Sequence, residues 1–396
     1  MCMTAFAAPR LIGILVPVIG LFSILGLIFT SSLSTLLEYI KQNRIIFFFC
    51  GTWLLLAGLS SLWSVDPSGS MERTLKLTPL ILFGLFMPLM ISGMSQGQLR
   101  RLFLIIVASF LAGMVLLIFD LLSNLTLFRF YRGLSYADWA HPSSLNRAIV
   151  FIGLLSCFIV PILCRSFSRW VTGAYMILFL IMLTFTESQS AQLAIAIGLL
   201  SYFLFSLTYR PLWIALQIGL CGLILAAPWF ALWLAEDVMA LAKSHEWLRQ
   251  GYAAARFEIW GFIGEYILRN PLYGFGIEAT RAITDFNAPG IYHDVVALHP
   301  HNFALQLWIE FGVLGAALGC AALCWLIEQI RWLEVEPRRA AMACLAATLT
   351  IMATGYGLWQ SWWIGTFLTL FAVFAITSQL AESEVTGTRK RECETA

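Results

Sequence analysis

Charged residues are scarce in this sequence. Only 12% of its 396 residues are Asp, Glu, Lys or Arg, whereas 60% are hydrophobic. Soluble globular domains contain about 25% charged residues, so the composition excludes a water-soluble fold. The 24 basic and 22 acidic residues leave a net charge of only +2. Because nucleic-acid binding depends on concentrated basic charge, no nucleic-acid partner is expected.

Long hydrophilic stretches are also rare, because the apolar residues are gathered into about eleven blocks of the length that crosses a bilayer as a helix. A backbone in lipid must satisfy its own hydrogen bonds, and no alternating strand pattern is present. We therefore predict an all-α, polytopic membrane protein with about 11–12 transmembrane helices, surrounded by membrane lipids. The blocks are approximately residues 11–30, 45–64, 77–94, 102–122, 148–164, 170–186, 191–206, 212–234, 303–327, 340–358 and 362–380.

Cysteine is absent from the longest hydrophilic segment, residues 235–302. Most of the nine cysteines lie within the apolar blocks or at the termini. Small extracellular domains that depend on disulfides carry paired cysteines in their loops. A disulfide framework is therefore not expected to stabilise this fold.

Lys and Arg are unevenly distributed between the two sides of the predicted bundle. Placing the C-terminus in the cytoplasm puts thirteen of them in cytoplasmic segments and six in short outer segments, as the positive-inside rule favours. An unrecognised short helix within residues 5–40 would change the side of the N-terminus. The predicted regions are an N-terminal bundle at 1–234, a periplasmic catalytic loop at 235–302, three further spans at 303–380 and a disordered cytoplasmic tail at 381–396.

The long loop contains an amphipathic pattern. From Ala253 to Leu268 large apolar residues recur every three or four positions, which predicts a helix, and Asn270 and Pro271 end it. We expect this helix to lie along the membrane surface. Its apolar stripe contains Ile259, Trp260, Ile263 and Ile267.

Arg256 interrupts this stripe, since it stands one turn before Trp260. A guanidinium on an apolar face needs an anionic partner, and its planar fork suits paired phosphate oxygens. The alternative is an arginine that extends to the phosphates of lipid headgroups.

All five histidines fall on the predicted outer side, either because chemistry occurs there or because histidine is excluded from lipid. His301 and Asn302 stand directly before the ninth apolar block, with His299 just upstream. A neutral His301 can take a proton from an attacking hydroxyl, although a capping role is equally compatible with its position. Glu310, eight residues further on, is either a functional intramembrane carboxylate or a residue facing a watery cavity near the interface.

These residues, taken in order, resemble the bacterial O-antigen ligase and O-antigen polymerase superfamily. The resemblance also includes the segment SSLWSVDPSGSMER at residues 60–73. The matching elements are Arg256 with Trp260, then Pro271, Gly274 and Gly276 in a Pro-x-x-Gly-x-Gly turn, then His301, Asn302, Glu310, Gly312 and Gly315.

The resemblance implies a metal-independent, inverting glycosyl transfer, without a cofactor, at the periplasmic face of a Gram-negative inner membrane. The donor would be a glycan on undecaprenyl pyrophosphate and the ligase acceptor a lipid A-core sugar. His301 and Arg256 would be catalytic, as base and as stabiliser of the leaving pyrophosphate. The predicted substrate-binding residues are Arg147, Gln189, His299, Asn302, Glu310, Trp260, Gly274 and Gly276.

One position departs from the family pattern. Members usually carry a second arginine in a short Ser-Arg motif before a middle span, but here Gln189 follows Ser188. Glutamine offers no fixed positive charge, so another residue must hold the second phosphate. Arg147, at the start of the fifth block, is the best substitute on the outer side, with Arg132 behind it.

Several alternatives remain open from the sequence. A polymerase tends to have two sizeable outer loops, whereas the second largest loop here, residues 123–147, is much shorter than residues 235–302, so a ligase is favoured. Transfer to a protein would need an additional acceptor-binding segment. A transporter or flippase predicts internal repeats and midplane ionisable residues, which are not found, and a scaffold does not account for the outer His and Arg. The oligomeric state is left open.

Overall fold

The computed structural model describes residues 11–30, 33–206, 209–244, 252–283 and 299–395. It is 82% helical, and the described residues contain no β-strand. This confirms the predicted all-α class. The α-helices are α1 (Ile12–Thr30), α2 (Leu33–Gln42), α3 (Arg44–Ser60), α4 (Pro67–Gly84), α5 (Leu89–Ser92), α6 (Gln96–Leu122), α7 (Thr126–Arg132), α8 (Asn146–Ser166), α9 (Arg169–Phe185), α10 (Gln189–Leu204), α11 (Arg210–Leu225), α12 (Ala227–Ser244), α13 (Tyr252–Arg269), α14 (Phe303–Arg331), α15 (Val335–Thr354) and α16 (Ser361–Thr395).

Each predicted apolar block forms one or two helices, but fewer than 11–12 spans can cross a bilayer by length and composition. Six described helices qualify, or up to eight if each of two bent helix pairs counts as one span. Helices α9 and α10 account for part of the shortfall, because they have only 17 and 16 residues, whereas about 20 are needed to cross the hydrocarbon core. In the N-terminal region a separate ten-residue helix, α2, follows the first span.

The outer surface of the bundle is apolar. Large side chains such as Phe22, Phe48 and Ile218 are more exposed than buried, although they lie in the middle of apolar helices. An apolar surface of this extent requires a lipid environment. The interior contains equally large aromatic residues, among them Trp213 and Trp363, both almost completely buried.

Three groups of helices build the interior. Helix α10 packs along α15, and α8 packs against α15 and α16. Helix α1 packs against α4 and α16. Helices α12 and α13 pair with each other, and α13 also contacts α14. The loop helix α13 is thereby held on the bundle.

Two predicted boundaries differ from the structure. The eighth block is broken by a 69° bend between α11 and α12, and α12 continues to Ser244, so the division at 234/235 falls inside a helix. The tail at 381–396, predicted to be disordered, continues α16 as far as Thr395. Glu, Lys and Arg favour helix, and no proline interrupts this segment.

Candidate functional site

The predicted loop helix is present as α13, one residue longer at each end than the Ala253–Leu268 prediction. Its isoleucine stripe is buried, with Ile263 and Ile267 completely inaccessible. The stripe packs against α12 and α14. The apolar stripe therefore faces protein, and the prediction that the helix lies along the membrane surface stays a prediction.

Helix α14 is broken at Gly312, whose φ of 62° and ψ of −151° are accessible essentially to glycine alone. The turn after α13 supplies hydrogen bonds at this break. The amide of Phe275 donates to the Ile309 carbonyl, and that of Gly276 donates to the Glu310 carbonyl, both at 2.9 Å. The Pro-x-x-Gly-x-Gly turn and the helix after His301 therefore form one backbone-linked unit.

Gly274 and Gly276 have φ angles of +63° and +92°. A Cβ atom at Gly274 would lie 2.6 Å from the backbone carbon of Glu310, and one at Gly276 would lie 2.4 Å from the Cβ of Ser64. Both glycines are therefore required by close backbone packing. The turn is thus packed tightly against Glu310 and Ser64.

The segment at residues 60–73 packs on this same turn. The Trp63 indole donates to the Tyr273 carbonyl at 3.0 Å, and the Ser70 hydroxyl donates to the Ile277 carbonyl at 2.8 Å. Two motifs about 200 residues apart in the chain thus contact each other directly. Their order in the sequence carries no sign of this contact.

The His301 side chain is fixed by a backbone carbonyl. Its Nδ1 lies 2.6 Å from the Gly355 oxygen, and because a carbonyl only accepts, Nδ1 carries the hydrogen and Nε2 keeps a lone pair. Burial and the Arg256 charge lower the pKa of His301, while the bond to Gly355 opposes them. The imidazole is therefore neutral near pH 7, with Nε2 able to accept a proton.

His299 lies against His301, with 4.1 Å between the ring centroids. The His301 amide donates to Nδ1 of His299 at 3.3 Å. Burial lowers the pKa of His299 to about 3, assisted by electrostatic repulsion from Arg281, Arg256 and the protonated form of His301. His299 is thus neutral, and it supports the strained His301 backbone, whose φ is +54°.

Arg256 and Trp260 face the histidine segment. The Trp260 indole donates to the Pro300 carbonyl at 2.8 Å, which ties α13 to the residues before α14. Arg256, one turn earlier, is half-buried, and its charge lowers the pKa of both His299 and His301. Burial also lowers the pKa of Arg256, but a guanidinium stays protonated in proteins.

The described residues give Arg256 no carboxylate within 4 Å. A half-buried guanidinium without such a partner favours an anionic ligand. The structure therefore brings Arg256 and His301 together beside Trp260, as the sequence predicts.

Asn302 and Glu310 bond within the protein. Asn302 caps α14, because its side-chain oxygen accepts from the Ala304 amide at 3.0 Å. Glu310 is completely buried and accepts from the side chains of Gln306 and Trp359. Both residues hold the start of α14 in place, and Glu310 faces no watery cavity.

Arg147 and Tyr356 lie beside the segment that carries the Gly355 acceptor. The Arg147 guanidinium lies 5.8 Å from the centre of the Trp362 ring. Burial raises the pKa of the Tyr356 phenol, and the positive charge of Arg147 opposes that effect. Arg147 is thus a cation beside the segment that carries Gly355, whereas no interaction connects Arg132 to this segment in the described residues.

Gln189 begins α10 and is exposed. Its neighbour Ser190 donates to the Thr354 carbonyl at 3.5 Å, so the start of α10 adjoins the end of α15. The position at which the family pattern has its second arginine is therefore close to the end of α15.

Three residues outside the predicted site also belong to this region. Arg73 Nε lies 3.3 Å from Glu278, and Arg281 pairs with the same carboxylate. Arg73 also donates to the Trp359 carbonyl at 3.4 Å. The sequence could have indicated Arg73, because this residue is the last of the 60–73 motif. It could not have indicated Glu278, because the positive φ of this residue cannot be inferred from residue types.

An apolar cavity of about 850 Å³ opens beside the site. Phe303, Leu358 and Trp359 line it next to the histidine segment, and Asn43 and Gln329 line it near the opposite end of the bundle. Most of its other lining residues are aliphatic or aromatic. Its length and lining suit a hydrocarbon chain.

Metal ligands do not cluster in the part of the chain that is described, where no three His, Cys, Asp or Glu residues come together. His245 and His293, together with Trp247 and Tyr292, lie outside the described residues. The predicted metal independence stays a prediction.

Comparison with known proteins adds independent information. Residues 174–320 match the O-antigen ligase family, a segment that contains Gln189, Arg256, the glycine turn, His301 and Glu310. No solved structure matches the chain significantly.

Curated relatives named as candidate polysaccharide ligases come from Rickettsia. The Rickettsia felis protein is 28% identical over 56% of this chain and 55% of its own length. The Rickettsia bellii protein is 25% identical over 79% of this chain and 76% of its length. A Rickettsia prowazekii relative is 32% identical over 29% of this chain and 30% of its length. The chain thus spans about half the length of the first of these relatives. The matched segment and these relatives support a relationship of this chain to the O-antigen ligase superfamily.

Proposed function

We propose that the protein is an O-antigen ligase-type glycosyltransferase. It transfers a glycan from undecaprenyl pyrophosphate to a hydroxyl of a lipid A-core sugar, without a metal or cofactor. The observation that carries this proposal is the neutral His301, fixed with Nε2 unprotonated, beside the half-buried Arg256 cation. A base next to an anion-binding group is what sugar transfer from a pyrophosphate requires.

The reaction follows from these two groups. His301 Nε2 accepts the proton of the acceptor hydroxyl while the oxygen attacks the anomeric carbon of the donor sugar. The bond between that carbon and the pyrophosphate oxygen breaks, and both of its electrons leave with the pyrophosphate. Arg256 and Arg147 stabilise the negative charge that develops there. Attack from the face opposite the leaving group inverts the anomeric configuration.

The apolar cavity is an argument for a donor that is linked to a lipid. It begins at Phe303 and Trp359, next to the histidine segment, and continues along α14 and α15 through the bundle. A polyprenol chain in this cavity would hold its pyrophosphate at the end near Arg256. Glycan transfer from a soluble nucleotide sugar would have no use for such a cavity.

The orientation is part of the proposal. The distribution of Lys and Arg favours a periplasmic site, a cytoplasmic C-terminus and the inner membrane of a Gram-negative cell. A cysteine at the exposed Ser144, in a chain whose native cysteines are replaced, should react with an impermeant maleimide in spheroplasts. A cysteine at the exposed Trp170 should react only after lysis. The reverse pattern would refute the orientation.

Deletion of the gene separates the ligase from the polymerase, which is the remaining alternative. Loss of a ligase leaves long glycan chains on the lipid carrier, whereas loss of a polymerase leaves single repeat units on the finished acceptor. We expect the first pattern.

Complementation of that deletion tests the site. His301→Ala and Arg256→Ala should each reduce transfer by at least about 100-fold, the size of a general-base or charge-stabilising contribution. Arg269→Ala, on the exposed end of the same helix as Arg256, is the matched control. A normal surface glycan in cells that carry His301→Ala would refute the proposal.

A further inference from the structure

The connection between α6 and α8 carries exposed aromatic side chains. Phe130, Tyr131, Tyr136 and Trp139 are each more than half exposed, and Trp139 is 83% exposed. They lie between two spans, Gln96–Leu122 and Pro142–Ser166, rather than within either. Large rings in a polar connection are costly unless they bind something.

Two buried charged side chains, Arg129 and Asp120, fix the backbone of this connection. Arg129, only 5% exposed, donates to the carbonyls of Ser135 at 2.7 Å and Asp138 at 2.8 Å. Asp120, equally buried, accepts from the Leu127 amide at 2.7 Å. Both side chains are thus occupied in fixing the backbone, so the shape of the surface above them is determined in advance.

The same connection contains backbone strain. The consecutive residues Asn124 and Leu125 both have positive φ, at 55° and 62°. Left-handed conformations are unfavourable for a leucine and persist only where surrounding contacts enforce them. The contacts around Asn124 and Leu125 therefore hold the loop in this backbone conformation.

Two of these aromatic residues, Tyr131 and Trp139, line a pocket of about 530 Å³ together with Phe128, within the range of about 300–1,000 Å³ found for small-molecule sites. Its lining combines aromatic rings, the guanidinium of Arg132 and the hydroxyls of Tyr131 and Ser144. Aromatic faces pack against the C–H faces of sugar rings, and arginine and serine bond to hydroxyl groups. The lining residues are Phe128, Tyr131, Arg132, Leu134, Trp139, Ala140 and Ser144.

A chain of contacts leads from the pocket towards the candidate active site. Trp139 stacks on His141, with 6.0 Å between the centroids and 23° between the rings. His141 Nδ1 lies 3.5 Å from Glu187, two residues before Gln189. The chain from Trp139 leads directly into α8 and to Arg147.

We propose that this pocket is a carbohydrate subsite, in which one sugar ring of the donor or acceptor glycan stacks on Trp139. The inference rests on the proposed glycan transfer and adds to it a second site at which the glycan is bound. A soluble sugar chain extending from the reaction centre past Glu187 would reach this pocket. Membrane anchoring of the same rings is the competing explanation.

Binding to a non-reacting protein tests the subsite. Detergent-purified His301→Ala protein is titrated calorimetrically with two probes released from the cell's own lipopolysaccharide, the free core oligosaccharide and the free O-antigen oligosaccharide. We expect one of them to bind, which identifies the acceptor or the donor as the occupant. Adding Trp139→Ala should weaken that binding roughly tenfold, the scale of an aromatic stacking contact, while Trp139→Tyr should largely restore it.

The matched control is Trp170→Ala, which removes a 77% exposed tryptophan at the other end of α9 from Glu187. Tyr131→Ala, which removes a second ring of the pocket, repeats the test if Trp139→Ala folds poorly. Unchanged affinity in Trp139→Ala and Tyr131→Ala, or no binding of either probe, would overturn the subsite. Preferential access of oxygen, rather than of a water-soluble nickel complex, to a spin label at Trp139→Cys would also overturn the subsite, because this position would then lie in lipid. Because binding is measured without turnover, these outcomes are independent of the transfer activity.

Discussion

At His301 one imidazole is fixed by three features, a left-handed backbone, a stacked histidine and a carbonyl acceptor. The sequence could predict the histidine, since its residue type and its place before an apolar block are visible. It could not predict Gly355, because any residue provides a backbone carbonyl. The same limit applies to Glu310, for which the sequence predicts a substrate contact: it shows the depth of Glu310 in the helix, but not the Gln306 and Trp359 side chains that donate to it.

The low pKa of His301 has a measurable consequence. Because burial and the Arg256 charge lower this pKa, the imidazole stays neutral as the pH falls through 6.5, the ordinary histidine value. Transfer should therefore persist below pH 6.5 and decline only when His301 becomes protonated. The measurement is kcat/KM against pH, whose acid limb reports this group in the free enzyme.

Arg256→Gln removes a positive charge that opposes protonation of His301. The pKa should rise, so the acid limb of the residual activity should move to higher pH. Arg269→Gln, on the same helix but absent from the charges acting on His301, should leave the limb in place. An acid limb that is identical in Arg256→Gln and in the parent would show that the two groups are not coupled.

At the scale of elements, helix α13 was the most predictable part of the site. Its periodicity gave both ends to within one residue, because a run of apolar residues every three or four positions is a local property. Its packing partner was not predictable, since the same stripe can face lipid or protein. The docking of the glycine turn onto the broken α14 is a tertiary contact between backbones, and the sequence showed only the glycines that permit it.

The glycine turn should tolerate no side chain at Gly276. Alanine there would combine a φ of +92° with a Cβ atom 2.4 Å from Ser64. Strain of this kind costs about 1–3 kcal/mol, so Gly276→Ala should lower the thermal unfolding temperature in detergent. Gly219→Ala is the matched control, because nothing lies within 4 Å of a Cβ atom at that helical position. Equal unfolding temperatures for the two variants would contradict the packing described for the turn.

For the whole molecule, the composition was sufficient to predict the all-α membrane class, and the apolar blocks located its helices. The number of spans was overestimated, because block counting treats a short or bent helix like a straight one of full length. The cavity along α14 and α15 was invisible in the sequence, since its lining comes from residues spread between Gln42 and Phe374. Only the packing of several helices creates it.

Filling this cavity tests its role in donor binding. Ala322 lines it and the adjacent Ala321 does not, so Ala322→Trp adds bulk inside the cavity and Ala321→Trp adds the same bulk at an exposed position. Each methylene of the lipid chain that is displaced from the cavity costs about 0.8 kcal/mol of binding free energy. Displacement of two methylenes by Ala322→Trp should therefore raise KM for a donor on a long polyprenol roughly tenfold.

A donor with a ten-carbon lipid would not reach past the first part of the cavity, so its KM should be similar in Ala322→Trp and in the parent protein. Steady-state transfer with both donors provides the comparison, and Ala321→Trp should resemble the parent with each. If Ala322→Trp impaired both donors equally, the substitution would be acting on the fold, and the cavity would not be the binding site of the lipid chain. A selective effect on the long donor would connect the hydrocarbon-lined interior of the bundle to the charged residues at its end, because a single substrate would occupy both.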